Sequence, residues 1–113
     1  MIELKIIDIK SFKDERGYLS VIEEDNHIPF EVGNSYWVYS TLHNDGHQRP
    51  EYIDKNKLIV ALSGEINVIV DNEIEIREFS LNHACYGLLI PNGSNYKIMN
   101  CTSNSVTFVI ISK

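Results

Sequence analysis

His47, Arg49, Glu51 and Tyr52 fall within six residues around Pro50. Together they hold an imidazole, a permanent cation, a carboxylate and a phenol. An imidazole suits proton transfer near neutral pH, whereas a phenol, with its ordinary pKa of about 10, becomes a base only if cations steady its anion. Arg49 and His47 are the cations close enough in sequence to do so for Tyr52. The plain alternatives are an exposed loop histidine and a tyrosine that lines a cavity or fills space. His43, His47 and Glu51 recur at intervals of four, but on a loop such spacing creates no common face, so no metal is expected there. No Ser or Cys nucleophile setting, Gly-rich phosphate loop or amphipathic membrane helix accompanies them.

These residues need a scaffold, and the surrounding chain reads as short strands. Leu58–Leu62 and Ile66–Val70 are apolar runs around Ser63-Gly64-Glu65, which predicts an antiparallel hairpin. Apolar residues on both faces make its strands central ones. Ile2–Ile6, Tyr18–Glu23 and Glu73–Phe79 alternate apolar and polar residues, as half-buried strands do. Tyr36–Tyr39, Cys85–Ile90, Tyr96–Met99 and Val106–Ile111 complete the set. Ser11–Gly17 reads as a turn, as does Pro91–Ser94; Asn26–Gly33 and Thr41–Asn56 read as loops. No segment has a helical period. The expectation is one all-β domain over residues 1–113, a small barrel or jelly roll, with the His47–Tyr52 segment at its mouth.

Composition narrows the partners. At 113 residues the chain can bury roughly two-thirds of its unfolded surface. A net charge of -6 argues against nucleic acid, which is held by clustered Lys and Arg, but allows a small anion gripped by a few local cations. No apolar run nears the roughly 20 residues that span a bilayer. The start MIELKIID lacks a basic segment followed by an apolar one, so no signal peptide and a cytoplasmic location are expected. Cys85 and Cys101 read as buried free thiols.

The order of the pieces resembles the small cupins that act as dTDP-4-keto-6-deoxyglucose 3,4-ketoisomerases. The similarity rests on Asp14-Glu15-Arg16-Gly17 before a strand, Ile28-Pro29-Phe30, the aromatic strand around Tyr36, Leu58–Asp71 and Gly87-Leu88. It covers nearly the whole chain almost without gaps. The resemblance implies a cupin-type jelly roll, a nucleotide-sugar ligand with dTDP the expected carrier, a role in deoxysugar or surface-polysaccharide synthesis, and a homodimer. A bare N-terminal edge strand would also favour pairing across a two-fold axis.

The same resemblance marks a departure. The family carries Arg-Gly-x-His-Ala-His before its central strands, and the two proposed acid–base histidines fall on Pro50 and Tyr52 here. The family arginine falls on His47, and a later aromatic-His pair falls on Asn95 and Tyr96. The His-x-His element with which many cupins bind metal is thus absent, and no metal or other cofactor is expected. The resemblance sets Arg16, which could grip a pyrophosphate bidentately, and Tyr36 against substrate. With Arg49 and Tyr96 these are the expected binding residues; His47 and Tyr52 are the expected catalytic ones. Either the chain is a sugar-nucleotide isomerase or epimerase with a rearranged site, or it binds a nucleotide sugar or a protein partner without catalysis.

Overall fold

The structure is a computed structural model that describes residues 3–14, 17–22, 28–39, 46–100 and 102–113. Among the described residues ten strands follow one another: β1 (Lys5–Asp8), β2 (Lys10–Asp14), β3 (Gly17–Val21), β4 (Val32–Tyr39), β5 (Lys57–Ser63), β6 (Ile66–Asp71), β7 (Ile76–Leu81), β8 (Tyr86–Ile90), β9 (Asn95–Asn100) and β10 (Val106–Ser112). A 3-10 turn, Pro50–Tyr52, stands before β5. Among the described residues no helix is long and apolar enough to cross a membrane.

The strands form a five-stranded sheet in the order β1-β8-β5-β10-β4, a three-stranded sheet β7-β6-β9, and a β2–β3 hairpin. All named pairings are antiparallel. Side chains alternate faces along each strand. Ile59 and Ala61 of β5, Leu88 and Ile90 of β8, and Val109 and Ile111 of β10 therefore meet Ile66, Val68 and Val70 of β6 and Ile98 of β9 in one core between the sheets. Leu58, Val60, Leu89 and Ile110 point the opposite way, onto Ile9, Ile28 and Phe30. A sheet covered on both faces needs continuous apolar strands, which is why β5 and β10 read that way.

The expected hairpin of Leu58–Leu62 with Ile66–Val70 does not form. β5 pairs with β8 and β10, while β6 pairs with β7 and β9. Ser63–Glu65 instead carries the chain from one sheet to the other. Gly64 takes φ +72°, a conformation in which a missing Cβ matters. Ser63 Oγ donates to the Asn104 carbonyl at 2.8 Å, and Glu65 N donates to Thr102 Oγ1 at 3.1 Å. The later crossing between β9 and β10 is thereby tied to this one.

Other boundaries move for local reasons. The first strand is Lys5–Asp8 rather than Ile2–Ile6. Of the expected Ser11–Gly17 turn, Ser11–Asp14 and Gly17 belong to strands instead, because Lys10–Asp14 pairs with Gly17–Val21. The alternation at 73–79 begins as a loop: Asp71 Oδ1 accepts from Glu73 N, and Asn72 Oδ1 from Ile74 N and Glu75 N. Such side-chain turns compete with strand pairing, so β7 starts only at Ile76 and leaves Ile74 91% exposed. Cys85 is a free thiol, as expected, but half-buried rather than buried; Cys101 lies outside the described residues.

Candidate functional site

The sheets open at the end away from Gly64. There Tyr36 of β4 is in register with Val109, and Asn34 with Ile111, so both share the side of the sheet that carries the inter-sheet core. Tyr96, at the start of β9, reaches the same place from the small sheet and is 3% exposed. The two phenol oxygens are hydrogen-bonded to each other.

The segment before β5 closes over this pair. His47 forms an antiparallel bridge with Ile98, its N–H donating to the Ile98 carbonyl and its carbonyl accepting from Ile98 N, each at 2.8 Å. Opposed residues in such a pair share a face, so His47 lies on the side of the fully buried Ile98. Pro50 then opens the 3-10 turn, a position that suits its fixed φ and missing N–H. The turn lays the Tyr52 ring against Tyr36, with centroids 6.3 Å apart and planes 16° from parallel. Asn34 Nδ2 donates to the Tyr52 hydroxyl at 3.0 Å. The Arg49 guanidinium stands 5.4 Å from the Tyr36 ring centre and 5.6 Å from that of Tyr52, within cation–π range. Its Nε also donates to Glu51 at 2.9 Å. A cavity of about 370 Å³ beside β4 is lined by Tyr36, Val38, His47 and Arg49, among others.

Burial pushes the Tyr96 phenol far above its ordinary range, and the hydroxyl of Tyr36 adds to the effect. Burial also raises Tyr36, against the opposing pull of its bond to Tyr96 and of the Arg49 charge. Both phenols are therefore neutral at working pH. The more buried hydroxyl must satisfy its proton inside the protein, so Tyr96 donates and Tyr36 accepts. The proton of Tyr36 is then left to donate elsewhere. Glu51 raises the Arg49 pKa further, so the cation is permanent.

Five of the six expected site residues, His47, Arg49, Tyr52, Tyr36 and Tyr96, thus converge on one end of the fold. Arg16 lies outside the described residues, as does His43. Of the two positions where the resembling family has histidine, Tyr52 packs on the core while Pro50 is exposed. Two further side chains were not expected. Asn34 holds the Tyr52 hydroxyl. Lys57 is fully buried, its ammonium donating to the carbonyls of Ser94 at 2.7 Å and Ile53 at 3.4 Å and lying 5.9 Å from the Tyr96 ring centre. The only signal for Lys57 was its place in the alternation with Ile59 and Ala61. Among the described residues no group of three or more His, Cys, Asp or Glu is set to hold a metal.

An all-β jelly roll with a phenol–arginine cluster at its open end defines the class, a small cupin. Residues 2–113 match the family described as "FdtA: WxcM-like, C-terminal", and the chain belongs to that family. It is 28% identical over 110 residues to a TDP-4-oxo-6-deoxy-alpha-D-glucose-3,4-oxoisomerase from Aneurinibacillus thermoaerophilus, covering 97% of this chain and 79% of the relative. Its fold is that of the WlaRB TDP-quinovose 3,4-ketoisomerase from Campylobacter jejuni, with a TM-score of 0.88 and 21% identity over 100% of this chain and 87% of the other. A point mutant of the 3,4-ketoisomerase QdtA from Thermoanaerobacterium thermosaccharolyticum, solved in complex with TDP-4-keto-6-deoxyglucose, is also similar. Its TM-score is 0.84 at 22% identity, over 100% of this chain and 82% of the other.

Proposed function

We propose that this chain is a single-domain, cytoplasmic sugar-nucleotide isomerase of deoxysugar or surface-polysaccharide synthesis. It binds a TDP-linked 4-keto-6-deoxyhexose at the open end of the jelly roll and moves the carbonyl between C4 and C3. The observation that carries the reading is the coincidence of the family match with a neutral phenol and a fixed cation on one cavity.

The reaction removes a proton from C3 to give an enediol and returns a proton at C4. His47, on the cavity wall, takes the base role. Tyr36 is held neutral by burial and donates to the oxygen on which enediolate charge develops, an interaction that strengthens toward the transition state. Tyr52, stacked on Tyr36, orients the ring and donates or accepts at the neighbouring oxygen. Arg49 exchanges exposed Glu51 for the anionic end of the ligand. Arg16 joins it on the pyrophosphate, an assignment supported by the resemblance alone. Tyr96 holds Tyr36 in place. No metal or other cofactor takes part.

The test is incubation with TDP-4-keto-6-deoxyglucose in D2O followed by proton NMR. Loss of the C3 proton signal and growth of a 3-keto product are expected, and both should survive chelation. Tight binding without exchange would refute the isomerase reading and leave a binding protein. A homodimer is part of the same proposal: β1 and β4 are the outer strands of the five-stranded sheet, and Ile6 on β1 is exposed. Light scattering should return twice 13.0 kDa; a concentration-independent monomer mass would overturn it.

A further inference from the structure

Lys57 is the one charged side chain among the described residues that is fully buried. Burying an ammonium is costly unless its donors are met, and here its acceptors are not carboxylates. They are the carbonyl of Ile53, which caps the turn carrying Tyr52, and the carbonyl of Ser94, two residues before Tyr96. The same junction is stitched twice more: Gly93 N donates to the Ile53 carbonyl at 2.7 Å, and Asn92 N donates to Asn56 Oδ1 at 2.9 Å. The third ammonium donor faces the Tyr96 ring. Lys57 thus lies where the segments bearing the two phenols join, although it touches neither hydroxyl.

We propose that Lys57 is the positioning residue of this site, its ammonium tying the Ile53 and Ser94 carbonyls together so that Tyr52 and Tyr96 meet Tyr36 in one fixed arrangement. The proposal rests on the isomerase reading for its kinetic consequence but not for its structural one. A buried apolar side chain of the same length would serve the core equally well; it could not hold two carbonyls that approach from different segments. Displacing a reacting group by about 1 Å can cost about 10²-fold in rate. Loss of the tie should therefore act on turnover rather than on capture of the nucleotide, which Arg49 performs from outside the junction.

The experiment compares Lys57→Met with Lys57→Gln, which keeps an N–H donor for the Ser94 carbonyl. With TDP-4-keto-6-deoxyglucose, Lys57→Met should lose roughly 10²-fold in kcat while KM stays within about threefold, and Lys57→Gln should recover about tenfold of that loss. Independently of turnover, the 13Cζ resonances of Tyr36 and Tyr96 should shift in Lys57→Met and return part of the way in Lys57→Gln. If the unaltered protein has no isomerase activity, that reading fails and the resonances decide the positioning role alone. A folded Lys57→Met with unchanged kcat per folded molecule, or with both resonances unmoved, overturns the proposal. Should Lys57→Met not fold, Lys57→Gln decides: resonances identical to those of the unaltered protein, or full kcat, would be equally fatal.

Discussion

Raising the pH should stabilise this protein before it destabilises it. Burial lowers the Lys57 pKa from 10.5 to about 8, with Asp54 opposing the shift only through space. An unfolded lysine keeps its proton up to pH 10.5, while the folded one sheds it from about pH 8. Between those values the unfolded state binds more protons, so stability rises with pH. The contribution is present in full above the unfolded pKa and is lost as pH falls through the folded one. At about 1.4 kcal/mol per unit, the whole gap is on the order of 3 kcal/mol, of which about 2 falls between roughly pH 7.5 and 9.5. Tyr36 and Tyr96 act with the opposite sign. Their folded pKa values are raised from 10.0, so their contribution is complete below that pH and is lost above it. A maximum just below pH 10 follows, on the alkaline side of the range usual for proteins. Urea denaturation at half-unit intervals should show the midpoint climbing by about 1 M across this window, for a slope typical of a small domain. Lys57→Met should abolish the climb, and the comparison removes most of the general charge repulsion, since the net charge changes only from -6 to -7. A flat or falling midpoint between about pH 8 and 9.5, or the same climb in Lys57→Met, would refute the reasoning.

Thr107 Oγ1 is buried without a hydrogen-bond partner, so Thr107→Val should stabilise the fold by about 1 kcal/mol; a lower urea midpoint would show that the hydroxyl is satisfied in solution. Gly64→Ala combines a φ of +72° with a new Cβ driven against Thr102 Oγ1 and 2.9 Å from the Ser105 Cα, whereas Gly93→Ala has φ +87° and open space. The first should lose roughly 1–3 kcal/mol and clearly more than the second, and equal melting temperatures would contradict the crossing described for β5 and β6. Tyr52→His puts an imidazole against Tyr36, whereas Pro50→His puts one in solvent. The first alone should raise 3,4-ketoisomerase turnover by about 10–10²-fold, and a gain seen only with Pro50→His would reverse the assignment of faces.

Strand identity was legible wherever burial leaves a period. β5 and β10 showed themselves by apolar residues on both faces, and the exposed surroundings of Tyr36-Trp37-Val38 did not hide a strand. Pairing was less legible. Nothing in Ser63-Gly64-Glu65 says whether the next strand returns beside the last or crosses to a facing sheet. The decision is made by Thr102, Asn104 and Ser105, some forty residues on. The site divides in the same way. His47, Arg49 and Tyr52 are neighbours in sequence and announced themselves by proximity, while Tyr36 and Tyr96, sixty residues apart, were joined only through the family resemblance. Lys57 went unseen because a lysine at the head of an apolar run reads as its solvated boundary. Only the carbonyls of Ile53 and Ser94 make burial tolerable there.

At the three positions where the resembling family has imidazoles, this chain has the phenols of Tyr52 and Tyr96 and the pyrrolidine ring of Pro50. Phenols that burial holds neutral exchange a base for a donor. Tyr36 and Tyr96 show that environment directly, and the Asn34 amide donating to the Tyr52 hydroxyl leaves that group's own proton for a ligand. The cluster is therefore rich in donors to an enediolate and poor in bases. Under the proposed reading the proton moves through His47 alone, which must then serve both C3 and C4 from one face of the sugar. Arg49, set against two aromatic faces, would supply a positive field to the developing charge, so the divergence changes which group carries the proton without removing the means to hold the charge.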